Sequence, residues 1–193
     1  AIDLLEIYDD QMVDKAQSIF NSRNKFITEF IPLFSQFYKD ISSNKEDVSL
    51  NYHSSLIEDS MKKIFSMNRV KDQLIGYTSS GIHRDDFHFS INGNPIKKFG
   101  SQGQQKTFLI ALKLAKFEYI KMKKNITPVL LLDDIFDKLD DHRVGYILKL
   151  IEKNNLGQLF ITDTSKDKIP NILKKLNIES NLFWIENGNS SKL

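Results

Sequence analysis

An α/β fold is what the sequence predicts: a doubly wound, mainly parallel sheet in the second half of the chain and a helical arm or lobe in the first. Two observations lead to it. Apolar runs at 129–132, 158–162 and 182–185 alternate with amphipathic stretches, the strand–helix–strand–helix–strand order of a parallel sheet. From Ile2 to Ile41, apolar residues recur at threes and fours, which makes one face of a very long helix.

Composition narrows the class. There is no cysteine in 193 residues, which excludes disulfides, thiolate metal sites and thiol catalysis, and makes a reducing cytoplasm the default. The apolar fraction of 40% and charged fraction of 27% are those of an ordinary soluble globular protein. A net charge of +2 permits nucleic acid as a partner without arguing for it. No apolar run approaches a membrane span, and the N-terminus has no signal-peptide pattern. The final Ser191-Lys192-Leu193 matches the peroxisomal address and is read as a coincidence. The length suits one large domain or two small ones, and the expected division is 1–100 and 101–193.

In chain order, Leu5, Tyr8, Met12, Ala16, Ile19, Phe26, Phe30, Phe34, Phe37 and Ile41 form the first apolar stripe, interrupted only by Arg23. It is one helix, or two bent near Pro32, with Asp3, Glu6, Asp9 and Asp10 suiting the dipole at its start. A stripe this long and aromatic exceeds what the next helix can cover, so part of it is expected to pack on something beyond this chain. Val48, Leu50 and Tyr52 alternate with polar residues as a short half-buried strand. A helix is expected from about Ser55 to Asp72, with Leu56, Met61, Ile64, Phe65 and Val70 inward. Gly76 and Gly81 break the chain before Ile82-His83-Arg84-Asp85-Asp86. Phe87, Phe89 and Ile91 then alternate as a strand, Asn92-Gly93 signals a tight hairpin, and Ile96–Phe99 is the expected return strand.

That strand delivers the chain to Phe99-Gly100-Ser101-Gln102-Gly103-Gln104-Gln105-Lys106. Ser101 and Gln104 make a Ser-x-x-Gln capping box, and a glycine-bearing loop at a helix N-terminus presents free N–H groups suited to a phosphate. The helix that follows buries Phe108, Ala111, Leu112, Ala115, Tyr119 and Met122, with Lys106, Lys113, Lys121 and Lys124 on its other side and Lys116 and Lys123 flanking them. Pro128 ends it. Val129–Leu132 reads as a strand buried on both faces, running into Asp133-Asp134 with Asp137 and Asp140 behind. Adjacent carboxylates at the C-terminal end of such a strand repel one another, and a cation relieves them. Apolar residues followed by Asp-Asp form a Walker B pattern. Helices at about Asp141–Asn154 and Ile169–Leu176 complete the alternation.

Taken in order, Ser101-Gln102-Gly103-Gln104-Gln105, a helix, Leu130-Leu131-Leu132-Asp133-Asp134 and Lys138-Leu139-Asp140 follow the signature, Walker B and D-loop order of an ABC-type ATPase. With Gly81-Ile82-His83-Arg84-Asp85-Asp86, Leu139-Asp140-Asp141, Gly157-Gln158-Leu159-Phe160-Ile161-Thr162 and Leu5-Glu6-Ile7-Tyr8-Asp9-Asp10-Gln11, the chain resembles the C-terminal half of the RecF family, bacterial recombination and repair ATPases. The resemblance implies the C-terminal part of an ABC-type ATPase head with a P-loop-like sheet. It also implies ATP-dependent dimers that bind double-stranded DNA at gaps or junctions in repair, recombination, replication restart and the SOS response, in the cytoplasm, with mediator partners such as RecR. Asp133 would then serve Mg²⁺ and Asp134 would stand in the catalytic glutamate's place, facing water. Ser101, Gln102, Gly103 and Gln104 would meet the γ-phosphate of ATP held by the other subunit, with Asp140 at the dimer interface. Lys113, Lys121, Lys124 and Arg84 are the candidates for DNA backbone contacts, while His83 and Arg84 could equally lock their turn against Asp85 or Asp86.

Three departures from the family pattern stand out. Ile82 replaces a proline, Asp163 stands where ABC transporters carry a switch histidine, and no Gly-x-x-x-x-Gly-Lys-Ser/Thr occurs, so the chain by itself is not expected to hydrolyse ATP. An ATPase head of the SMC or RecN type, or a non-catalytic module binding DNA or protein, are the alternative readings.

Overall fold

The structure is a computed structural model that describes residues 2–134, 136, 139–153 and 157–192. Expectations placed on Asp137, Lys138, Asn154 and Leu193 fall outside these residues. In order, the elements are α1 (Ile2–Ser42), β1 (Val48–His53), α2 (Met61–Ile75), β2 (Asp86–Ile91), β3 (Asn94–Pro95), α3 (Ile96–Phe99), α4 (Gln102–Lys124), β4 (Leu130–Asp133), α5 (Asp141–Lys153), β5 (Leu159–Thr162), α6 (Lys168–Leu176), β6 (Phe183–Glu186) and β7 (Asn189–Lys192). They divide into two compact units, Ala1–Pro32 with Ser49–Ser90, and Leu33–Val48 with Ile91–Leu193. Pro32 does not end α1, which is assigned as one helix through it.

In the first unit, Ala16, Leu56, Met61, Ile64 and Phe65 form a small core with Val13, Phe20 and Ile82 packed on it. The helix expected from Ser55 begins later. Ser55–Ile57 is a single 3-10 turn capped by Ser54, and Ser60 restarts the chain as the N-cap of α2 by accepting from the Lys63 N–H. Gly76, at φ 77°, closes α2 in the left-handed conformation that a glycine adopts without strain. Val70 is exposed, not inward. Nine residues beyond Met61, it lies on the opposite face of a helix that turns 100° per residue. Tyr52 of β1 stacks on Phe20 of α1 and meets the Phe87 ring of β2 at a tilt. The N-terminal part of the α1 stripe stays open: Leu4, Leu5, Ile7, Tyr8, Met12 and Ile19 are all exposed.

In the second unit, Asn92 (φ 48°) and Gly93 (φ 76°) take the paired positive φ of a type I′ turn, as the sequence signals. The return strand is only Asn94–Pro95, and Ile96–Phe99 is a one-turn helix instead of a strand, because Ile96 turns into the core directly after Pro95. Phe34 and Tyr38 of α1 close on Phe108 of α4, with ring centroids 4.6 and 5.9 Å apart. The buried face of α4 runs through Thr107, Phe108, Ile110, Ala111, Leu114, Ala115 and Phe117, so Ile110, Leu114 and Phe117 replace Met122, which is exposed.

β4 and β5 pair in parallel, Leu130 opposite Leu159 and Asp133 opposite Thr162. The expectation that β4 is covered on both faces fails. Leu130 and Leu132 are buried, but Leu131 is 64% exposed and its neighbour across the ladder, Phe160, 52% exposed. The two faces differ: Leu130 and Leu132 turn into the core, and among the described residues the face that carries Leu131 and Phe160 stays open. β6 does not extend this sheet. It pairs antiparallel with β7 through Asn187-Gly188, whose φ values of 50° and 79° make a second type I′ turn.

Candidate functional site

The loop 99–106 is held from inside. Ser101 caps α4 by accepting from the Gln104 N–H at 3.2 Å, and the Gln104 side-chain carbonyl accepts from the Ser101 N–H at 2.8 Å, so both halves of the capping box are present. Ser101 and Gln102 are exposed at the helix N-terminus, and Gly103 is half-buried just inside it. Gly100 has no room for a side chain. A Cβ there would stand 2.7 Å from both the Ile96 carbonyl oxygen and Ile96 Cγ1. Gly100→Ala should therefore destabilise the fold by about 1–3 kcal/mol, read as a lower urea midpoint with unchanged slope. An unchanged midpoint would mean that the loop has slack.

Asp133 and Asp134 sit at the C-terminal end of β4, where the parallel pair ends. Thr162, at the matching end of β5, links them: its hydroxyl donates to Asp133 Oδ1 at 2.5 Å and accepts from the Asp134 N–H at 3.1 Å. The bond engages one oxygen of Asp133, which is exposed. Among the described residues no group of three or more His, Cys, Asp or Glu could hold a metal. A lone, oriented carboxylate nevertheless fits Mg²⁺, which takes one or two carboxylates and completes its shell with phosphate and water. Asp134 is at φ 44°, a left-handed conformation that Asp and Asn tolerate better than longer acids. Lys106 does not belong to a solvated lysine face. It is half-buried, and its ammonium donates to the Asp134 carbonyl at 3.2 Å, tying the first turns of α4 to the end of β4.

The segment after β4 is clamped too. Phe136 and Leu139 are buried, and the Lys168 ammonium of α6 donates to their carbonyls at 3.0 and 3.2 Å. Asp140 caps α5 by accepting from the Arg143 N–H at 2.8 Å, and its side chain stays 63% exposed. From there a polar network runs back to α4. The Arg143 guanidinium donates to Thr107 Oγ1 and to Glu46 Oε1, each at 2.8 Å, and its Nε lies 3.6 Å from Asp140 Oδ2. Glu46, in the turn after α1, also accepts from Tyr38 at 2.5 Å and from the Gln104 amide at 3.3 Å. Burial alone would raise the Glu46 carboxyl, but these three hydrogen-bond donors outweigh it and hold it below the ordinary glutamate value. Burial, then the Glu46 carboxylate, push the Tyr38 phenol well above its usual range. Because the folded-state value of Glu46 is depressed, its stabilising contribution is complete above the unfolded value and is lost as pH falls through the folded one.

Of the helix-face lysines, Lys113 and Lys121 are half-buried and Lys124 is exposed. Arg84 belongs to the first unit, exposed, with its guanidinium 5.7 Å from the Tyr77 ring centroid. Neither His83 nor Arg84 locks the turn through an acid. His83 bonds the Thr78 carbonyl at 3.0 Å, and Asp85 is held from α1 and β1. Arg23, the residue that interrupted the apolar stripe, donates to Asp85 Oδ2 and to the Ile82 carbonyl, each at 2.9 Å, and Tyr52 donates to the same Asp85 oxygen. Asp163 accepts from the Ser165 N–H at 2.6 Å and so shapes the turn into α6. The sequence alone assigns no role to Glu46, Thr107, Arg143, Thr162 or Lys168, although Thr162 lies in the 157–162 stretch that carries the resemblance. The only local signal was Arg143, spaced three residues from Asp140 as a cap partner.

No protein-family model matches the chain. It is 46% identical over 181 residues to the DNA replication and repair protein RecF of Flavobacterium johnsoniae, a match covering 94% of this chain and 50% of that protein. The chain belongs to the RecF family. It spans about half the length of the curated relatives it matches. Its fold agrees with a solved structure of the recombination mediator protein RecF with ATP, at a TM-score of 0.74 and 30% identity, over 99% of this chain and 50% of that one. An SMC head bound to the C-terminal winged-helix domain of ScpA superposes at a TM-score of 0.52 and 17% identity, over 97% of this chain and 48% of that one, which is a likeness of fold alone. No helix among the described residues is long and apolar enough to cross a membrane.

Proposed function

We propose that the chain is the signature-bearing half of a RecF-like protein that binds DNA in recombinational repair and replication, and that dimerises around ATP. The observation that supports it best is the joining of the capped loop to the Asp133–Asp134 strand end through Lys106 within one unit. Ser101, Gln102, Gly103 and Gln104 then greet the γ-phosphate of ATP held by a second copy. Asp133 holds Mg²⁺ at this copy's own nucleotide, Asp134 orients the attacking water, and Asp140 faces the partner. When bound, Mg²⁺ neutralises charge on the phosphates being cleaved. The chain's own residues supply the orientation: Thr162 aims Asp133, and Lys106 holds the backbone of Asp134. Lys113, Lys121, Lys124 and Arg84 contact duplex phosphates at gaps or junctions, contacts that would weaken as salt rises. RecR is the mediator partner of this reading, and the cytoplasm its location.

The test is Ser101→Arg in the full-length protein, which places a long side chain where the γ-phosphate would sit. ATP binding by each monomer should stay within about twofold, and ATP-dependent dimers should be lost, as followed by sedimentation with and without MgATP. Dimers that still formed on ATP would remove the signature assignment. A non-catalytic module would instead bind DNA with no dependence on ATP.

A further inference from the structure

We infer that Glu46 and Arg143 are positioning residues that set the capped loop of α4 and the exposed carboxylate of Asp140 in one fixed relation. The inference rests on the proposed ATP-dependent dimer, in which both of those groups face the partner copy.

The geometry is specific in a way that stability alone does not require. Glu46 Oε1 takes the Gln104 amide nitrogen, so the amide oxygen of the same side chain must point at the Ser101 N–H, where it lies at 2.8 Å. Turned the other way, Gln104 would oppose N–H to N–H. Glu46 therefore decides which way the capping box closes. Its partner Arg143 makes the second link. One arm holds Thr107, whose hydroxyl donates to the Gly103 carbonyl at 2.8 Å, and the backbone N–H of Arg143 holds Asp140. Tyr38 donates to the other carboxylate oxygen. The side chains of Glu46 and Arg143 are 12% and 22% exposed, so water competes weakly for these bonds. A buried ion pair adds little net stability over apolar residues of the same shape, whereas loss of one partner leaves the other with unmet bonds. What such a pair supplies is geometry. Here it fixes two surface features that belong to different elements and are far apart in sequence.

The experiment uses the full-length protein, with Glu46→Gln, Thr107→Val and Thr107→Ser measured beside wild type and Ser101→Arg. Glu46→Gln puts an amide nitrogen among donors. Thr107→Val keeps the shape of the side chain and removes the hydroxyl, and Thr107→Ser keeps the hydroxyl. Binding of MgATP to the dilute monomer should stay within about twofold for all three, while ATP-dependent self-association weakens on the order of tenfold or more in Glu46→Gln and Thr107→Val. Thr107→Ser should associate like wild type. The double variant Glu46→Gln/Thr107→Val should lose less than the two single losses combined, because Arg143 joins both residues in one network. If Ser101→Arg blocks association while Glu46→Gln and Thr107→Val dimerise normally and differ only in melting temperature, the network is a stability device and the inference is overturned. If Ser101→Arg itself dimerises normally, the signature reading fails and the inference falls with it. Should Glu46→Gln not fold, the Thr107 pair decides alone.

Discussion

Replacing Asp134 with asparagine in the full-length protein should lower ATP turnover about 10²- to 10⁴-fold, the range for loss of a positioned proton acceptor, while ATP-dependent self-association persists. The backbone makes this substitution clean. At φ 44° an L-residue is strained unless its short polar side chain can bond locally, and Asp and Asn share that tolerance. Asp134→Asn therefore removes charge and basicity while leaving the N–H on Thr162 and the carbonyl on Lys106 undisturbed. The same conformation gives a physical reason for an aspartate at this position. A longer acid tolerates a left-handed backbone less well, at a cost of about 1–2 kcal/mol. On the proposed reading, the shorter reach of the aspartate carboxylate predicts slow hydrolysis. Phosphate release under steady state, with dimer formation followed separately by light scattering, gives the two readouts. Unchanged turnover in Asp134→Asn would take the water-facing role away from this residue.

How much of this was legible beforehand depended on the range of the forces involved. The capping box of Ser101 and Gln104 and the type I′ turn at Asn92-Gly93 are set within a few residues, and the structure has both as read. Asn187-Gly188 carried the same signal and was passed over, because the residues after it, Asn189-Ser190-Ser191-Lys192, lack the apolar alternation expected of a strand. The buried faces of α2 and α4 differ in part from those that periodicity predicts. Periodicity names a set of faces, but the neighbouring elements choose among them: the core takes Ile110, Leu114 and Phe117 and leaves Met122 and Val70 out. The β4 run looked doubly covered because four apolar residues in a row are consistent with that, yet Leu131 faces open space. The strand-end acids and the loop stand out in the sequence by spacing. The groups that orient them were not, because Glu46 reaches Arg143 across 97 residues and Thr162 reaches Asp133 across 29. No local pattern encodes such pairs.

Arg23 belongs to the same class of long-range partner, and its replacement by methionine should cost about 3 kcal/mol of stability. The Asp85 side chain is only 3% exposed, and one of its oxygens, Oδ1, is buried without a hydrogen-bond partner. The other is held by Arg23 and Tyr52. Methionine keeps the apolar stem that lets position 23 lie in the α1 stripe but withdraws the donors, leaving a nearly buried carboxylate with one phenol. The Arg23 side chain is 42% exposed, so water reaches part of the vacated space, which sets the expected cost at the low end of the range for a broken buried pair. Arg23 also donates to the Ile82 carbonyl, so the loss should loosen the 82–86 turn as well as the pair. Urea unfolding of the full-length protein would show this as a lowered midpoint, and amide exchange would place the loss within 82–91. Asp85→Asn in the Arg23→Met background should recover much of the stability, since a neutral amide does not need the guanidinium. If Arg23→Met unfolds at the wild-type midpoint, Tyr52 alone satisfies Asp85 and the arginine's break in the stripe has no structural cause. An intact midpoint in the double variant, with a loss in the single one, would assign the cost to the stranded charge and not to the packing of the stem.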